Sequence, residues 1–247
     1  MTLESFDWTG DGTYDSFVSA IRTQIAEPTT GRFSALMLQG WISTAALQIA
    51  LDTECLKEFP VWNSVAGQQQ YVLSAYTGTG GFRKAYKVLA VSMGEGIAAP
   101  YTNWREIFYL PQKQAQRIYD IQSGTGVPTH YFLKQSIGGA ATETTLTVSF
   151  VPIPSVATYR FQADLVVLPE MPVTTAIHQF PQETYPLFLT YVKYLAKEAD
   201  GDLEAALMYL NMYRGNAAKA EMKLRENNIQ QDVYPSGRYS DTDLGDF

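Results

Sequence analysis

From Thr144 to Leu168 the chain reads TTLTVSFVPIPSVATYRFQADLVVL. Leu146, Val148 and Phe150 alternate with Thr145, Thr147 and Ser149; Tyr159, Phe161, Ala163, Leu165 and Val167 then alternate with Arg160, Gln162 and Asp164. A period of two predicts two half-buried antiparallel strands, joined as a hairpin. Pro152 and Pro154 cannot donate to a ladder, so Pro-Ile-Pro-Ser is the expected connection. Two strands alone are marginal in water, so this pair needs a partner sheet. Further short runs of aromatic and branched residues, Gln70 to Leu73, Ala85 to Met93 and Tyr131 to Leu133, fall between glycines in the region from Phe59 to Ser136. They predict a small antiparallel sandwich or barrel. A short helix over Gln114 to Tyr119, with Pro111 in its first turn, is expected between the strands.

The flanks follow a helical period. Phe17, Val18, Ile21 and Ile25 mark one face of a helix from about Asp15, its expected N-cap, to Glu27, closed by Pro28. A second helix is expected from Thr30 or Gly31 to Asp52. Its apolar residues, among them Phe33, Leu36, Met37, Trp41, Ile42 and Ile49, spread nearly all round, which predicts burial on several sides. After an extended path marked by Pro169, Pro172 and Pro181, Leu187, Phe188, Tyr191, Val192 and Leu195 form the stripe of a third. Asp200-Gly201-Asp202 reads as a helix stop and a new N-cap. The last helix carries Leu203, Ala206, Leu210, Tyr213, Ala217, Ala220 and Leu224 at steps of three and four, the spacing of antiparallel helix packing. Gly215 costs it about 1 kcal/mol relative to alanine. Lys219, Lys223 and Arg225 are expected near its negative end.

Helices at both ends with β structure between them predict an α+β fold. The N- and C-terminal helices (13–58 and 180–228) form a bundle, and an antiparallel sandwich- or barrel-like β domain (59–179) is inserted in it. From 229 to 247 the polar, acidic sequence predicts an extended tail with no core of its own.

Composition narrows the function classes. With 247 residues, 46% hydrophobic and 17% charged, the chain is globular. No apolar run is long enough to span a membrane, and the first residues lack the pattern of a signal peptide. Cys55 is the only cysteine, which leaves no intrachain disulfide and no cysteine-based zinc site. A net charge of −7 and a pI near 4.9 argue against a surface that grips nucleic acid.

Candidate chemistry is sparse. His130 and His178 are the only histidines, and neither sits in a nucleophile elbow. Asp7, Thr9, Asp11, Gly12 and Asp15 imitate the start of a calcium loop, but Val18 stands where a bidentate glutamate is required. Gly78-Thr79-Gly80-Gly81 lacks the Gly-Lys-Ser/Thr ending of a phosphate loop and reads as a hairpin tip. Trp41, Trp62 and Trp104 suit either a sugar-binding surface or a core. No catalytic, cofactor or metal residue is assigned.

Three stretches together resemble the head-to-tail adaptor, or connector, proteins of tailed bacteriophages, in particular the tail tubular A type. They are Gly67-Gln68-Gln69-Gln70-Tyr71-Val72-Leu73; Leu146 to Val151 ending in Pro152-Ile153-Pro154; and Phe180-Pro181-Gln182-Glu183-Thr184-Tyr185 opening the paired helices. The likeness in layout covers about Asp15 to Asn228, with a longer glycine-rich region here between Tyr76 and Gly96. It implies a structural virion protein made in the host cytoplasm and located in the neck, between capsid and tail. Its partners would be itself, as a dodecameric ring, the portal protein, a downstream tail or nozzle protein, and DNA passing through the channel without specific binding. No enzymatic activity, cofactor or membrane is implied. The resemblance also points to portal docking by the C-terminal segment, through Tyr234, Tyr239, Leu244 and Phe247. The alternative from another class is a carbohydrate-binding β module with a helical attachment domain, built on the tryptophans.

Overall fold

The computed structural model describes residues 14–25, 32–73, 84–95, 102–121, 124–137, 144–169 and 180–233. Its elements confirm the α+β class: helices plus a curled, mixed half-barrel of β-sheet. The chain divides into two compact units, residues 1–55 with 172–247 and residues 56–171.

The first unit is helical. Helix α1 (Tyr14–Gln24) starts one residue before the expected cap and buries Phe17 and Ile21 completely. Helix α2 (Ala35–Thr53) begins later than expected, where the Ser34 hydroxyl accepts a hydrogen bond from the Met37 N–H at 3.1 Å. It buries Leu38, Ile42, Ala45, Ala46, Ile49 and Ala50 on one face. Leu36 and Met37 are exposed, so the spread of apolar residues does not mean burial on every side. Helix α4 (Tyr185–Ala199) follows a 3-10 turn at Gln182–Thr184. Phe180, buried ahead of the turn, meets Phe188 edge-on at 5.0 Å, and the Thr184 hydroxyl donates to the Pro181 carbonyl at 2.7 Å. Gly201 adopts φ +76°, which glycine tolerates without strain, and the Asp202 carboxylate caps the next helix by accepting from the Ala205 N–H.

That helix, α5 (Leu203–Val233), buries Ala206, Tyr213, Ala217 and Ala220 as the spacing requires. Three expectations fail on it. Leu203, the first residue after the cap, is exposed, and Leu210 is only half-buried. The helix continues through Val233, so 229–233 is not extended tail; Glu, Gln and Asn are compatible with a helix and do not stop it. Lys219 and Lys223 therefore lie two turns or more from its end, beyond reach of the dipole. A bidentate ion pair of Arg32 with Asp200, at 2.8 and 3.1 Å, ties the approach to α2 to the α4–α5 turn.

The second unit is the half-barrel. Its strands are β1 (Lys57–Glu58), β2 (Val61–Asn63), β3 (Gln70–Val72), β4 (Lys84–Glu95), β5 (Thr102–Tyr109), β6 (Thr125–Gly126), β7 (His130–Ile137), β8 (Thr144–Val151), β9 (Ile153–Pro154) and β10 (Tyr159–Leu168). The main sheet runs β1-β10-β4-β5-β7-β8-β3, with β2 also on β10. Pro60 interrupts the edge formed by β1 and β2, where a missing N–H costs no ladder bond. Helix α3 (Gln112–Ile121) follows β5 directly; Pro111 precedes it and accepts from the N–H groups of Gln114 and Ala115.

The expected hairpin does not exist. Strand β8 pairs with β7 and β3, whereas β10 pairs with β4, β1 and β2. The proline segment still connects them, but β9 within it pairs in parallel with β6. The sheet is mixed because β5 changes partners along its length. Its first part is antiparallel to β4, and Phe108 and Tyr109 are parallel to His130 and Tyr131 of β7. The two arms face each other across a stacked aromatic pair, Phe150 and Phe161, with centroids 4.0 Å apart. Trp62 and Tyr71 complete this core. Tyr71 is 1% exposed, yet its oxygen accepts from the Val65 N–H at 2.9 Å, so its polar end is satisfied.

Candidate functional site

The described residues offer surfaces rather than a reactive centre. In the helical unit, α2, α4 and α5 surround a cleft of about 500 Å³ whose lining includes Gln48, Asp52, Tyr191, Tyr194, Tyr213 and Arg214. The buried Tyr213 hydroxyl donates to the Asp52 carboxylate at 2.7 Å, and its ring meets Tyr191 edge-on at 4.9 Å. Burial, and then Asp52, push the Tyr213 phenol well above its ordinary pKa. It is a fixed donor that locks α2 to α5. Cys55 is also held protonated, its pKa pushed up to about 11 mainly by burial, and so is an unreactive thiol at neutral pH.

The sequence candidates fall out as follows. His130 is half-buried on β7, with its Nδ1 2.9 Å from the Thr129 hydroxyl and its ring beside Phe108. None of the three tryptophans forms an open platform. Trp62 is in the aromatic core, Trp41 packs edge-on against Phe33, and Trp104 lies over Gly94, where an added Cβ would come within 3.2 Å of the indole. Of the three, Trp62 is buried and Trp41 and Trp104 are partly exposed. Tyr234, Tyr239, Leu244 and Phe247 lie outside the described residues, as do His178, the Asp7–Gly12 stretch and Gly78–Gly81. Among the described residues no cluster of three or more His, Cys, Asp or Glu has the geometry to hold a metal ion, and no helix is long and apolar enough to cross a membrane.

Exposed apolar residues on both units were missed from sequence. On α5, Leu207, Met208, Met212 and Met222 lie off the buried stripe and are exposed. On the β unit, Phe108 and Tyr109 at the end of β5 are 64% and 54% exposed, followed in sequence by the exposed Lys113 and Arg117 of α3. The signal was available for α5: apolar residues occur off the stripe as well as on it, and a helix apolar all round is covered on more than one side. Exposed apolar groups in such numbers mark interaction surfaces.

The stretches that carry the phage-adaptor resemblance are partly joined in space. Residues Gln70 to Val72 pair with Thr147 to Ser149, the Gly67 N–H donates to the Pro154 carbonyl at 2.9 Å, and the Phe150 N–H donates to the Gln69 carbonyl at 3.0 Å. In comparisons with known proteins, no family model matches this chain and no curated protein is significantly similar to it.

Proposed function

We propose that this chain is a structural adaptor subunit of a tailed-phage virion. Copies of it form a ring in the neck that joins the portal vertex to the tail and surrounds the channel through which DNA passes. The observation that carries the reading is the union of separated sequence stretches. The Gly67–Leu73 and Leu146–Pro154 segments, 73 residues apart at their nearest ends, form one hydrogen-bonded patch of the β unit. The Phe180–Tyr185 segment builds the entry to α4, with Phe180 packed on Phe188. These are the stretches whose order resembles the adaptor family, and each has a structural job in the fold. The exposed apolar face of α5 further supports a subunit designed to be covered. The net charge of −7 suits a channel wall that lets phosphates pass.

The test is electron microscopy of the purified chain mixed with portal rings from the phage that encodes it. Density stacked as a ring on the portal is the expected result. Portal rings that stay bare at saturating concentrations of the chain would overturn the reading.

A further inference from the structure

The cleft between α2, α4 and α5 holds a carboxylate that is oriented but not neutralised. Asp52 is exposed, and neutral donors hold both of its oxygens: the Tyr213 hydroxyl on Oδ2 at 2.7 Å and Gln48 Nε2 on Oδ1 at 2.9 Å. Each oxygen can accept one more hydrogen bond. Among the described residues Asp52 has no cation within ion-pair distance. It also stands in the last turn of α2, where the helix dipole adds negative potential. On the α4 side, the half-buried Tyr191 and Tyr194 wall the cleft, their rings edge-on to each other at 5.4 Å. Burial, and behind it the charges of Asp52 and Glu198, hold the Tyr191 phenol above its ordinary pKa, so this wall lies in a negative field. From α5 come Glu221 and the exposed Arg214, which leaves two carboxylates against one guanidinium in the lining. Leu210 also lines the cleft, and one turn before it on the same side of α5 Leu207 is 60% exposed.

We propose that this cleft receives an arginine side chain of a partner protein, whose guanidinium pairs with Asp52 while an apolar residue beside it covers Leu207. The inference goes beyond the adaptor reading and does not depend on it. Arginine suits the cleft better than lysine. Its planar fork can donate to both Asp52 oxygens at once, its flat face can lie against a tyrosine ring, and it is more weakly hydrated than an ammonium. The Tyr213 and Gln48 donors fix the carboxylate in advance, so little ordering is left to be done on binding. A protein side chain suits it better than a free small cation. Small-ligand sites enclose most of their ligand, whereas this cleft runs between helices and continues along α5 into an exposed leucine. A charged anchor with an apolar contact beside it is how a protein partner would use such a surface.

The experiment is isothermal titration calorimetry of the full chain with three probes. The first is a helical alanine-based peptide carrying one arginine and, one turn away, one leucine. The second is the same peptide with citrulline for arginine, which keeps the shape and removes the charge. The third is butylguanidinium alone. The arginine peptide is expected to bind saturably, and the citrulline peptide and butylguanidinium at least about tenfold more weakly. Asp52→Asn should lose about the same factor against the arginine peptide and little against the citrulline one, since the two changes remove one interaction. The asparagine keeps an oxygen for Tyr213 to donate to, and circular dichroism melts verify the fold. Tyr194→Ala, outside the Tyr213–Asp52 lock, should also weaken the arginine peptide. Arg214→Ala should tighten it, because a like charge leaves the lining. The proposal is overturned if the arginine peptide does not bind saturably or the citrulline peptide binds as well, or if Asp52→Asn and Tyr194→Ala bind like wild type. Weakening by Arg214→Ala would overturn it too, by marking an anion site. Butylguanidinium binding as tightly as the peptide would assign the cleft to a free cation and end the claim of a protein partner.

Discussion

The two units build their cores from different residues. The β unit fills its half-barrel with the aromatic side chains of Trp62, Tyr71, Phe150 and Phe161, and even polar Thr147 and Ser149 of β8 are buried. The helical unit mixes buried alanines, Ala45, Ala46, Ala206, Ala217 and Ala220, with the larger buried Phe17, Leu38, Ile42, Ile49 and Phe188. Along α5 the buried stripe is mostly alanine, and the long side chains of Leu207, Met208, Met212 and Met222 are in the open. The difference teaches that large rings close the β core, whereas α5 places its small residues in the core and its long apolar ones on the surface.

The sharpest way to break the comparison is to cut into the β core. Phe161→Ala removes a fully buried ring stacked on Phe150 and touching Tyr71 and Trp62, and is expected to cost about 3–5 kcal/mol. Urea unfolding measures it. A loss under 1 kcal/mol would show that the aromatic cluster is not a packed core.

The helical unit has a smaller lock. Tyr213→Phe removes the donor to Asp52 Oδ2, while Gln48 still donates to Oδ1, and is expected to cost about 1.5 kcal/mol, the low end for hydrogen bonds to charged groups because Asp52 is exposed. The lock also sets a pH dependence. The raised pKa values of Cys55 (about 11) and Tyr131 (about 12) and the upward shift of Tyr213 mean that the unfolded chain gives up these protons first. Stability from this source is complete below the unfolded values, near 9 for Cys55 and 10 for the tyrosines, and is lost as pH rises through the folded ones. Melting temperature should fall steadily from pH 9 to 12, and less steeply in Tyr213→Phe. A flat profile would contradict the burial of these groups.

Much of this was legible in sequence, and the misses have physical causes. The α+β class, the buried faces of α1, α4 and α5 and the caps at Asp202 and Gly201 followed from spacing, because helix faces are set by local geometry. Strand partners were not legible. Alternation in β8 and β10 reports which side chains share a face, not which strand lies alongside, so neighbouring strands were read as a hairpin that the ladders do not contain. Alternation also mistook Thr147 and Ser149 for a solvent face. Of the candidate site, the tail residues Tyr234, Tyr239, Leu244 and Phe247 lie outside the described structure; the exposed face of α5 was legible as apolar residues off the stripe, whereas the exposed end of β5 emerged only once the buried side was known.

Two further substitutions sharpen the contrast. The Ser149 hydroxyl is fully buried and has no hydrogen-bond partner among the described residues, so Ser149→Ala should stabilise by about 1 kcal/mol, the lower end of the penalty for an unpaired polar group. A destabilisation of that size in chemical denaturation would reveal a partner. Gly215, exposed within α5 with nothing within 4 Å of an added Cβ, should give about 0.4–1 kcal/mol of stabilisation as Gly215→Ala, visible as a raised melting temperature. No gain would mean that this part of α5 is not helical in the free chain.

Methionine oxidation footprinting tests most directly whether the exposed apolar face of α5 is a partner surface. Met37, Met208, Met212 and Met222 are exposed, while Met93 is fully buried in the β unit. In the free chain, dilute peroxide should convert the four exposed thioethers to sulfoxides well before Met93. In the assembled particle, Met208 and Met212 should become protected while Met93 stays as slow as before. Oxidation of Met208 and Met212 at the same rate in the free chain and in the particle would contradict the account.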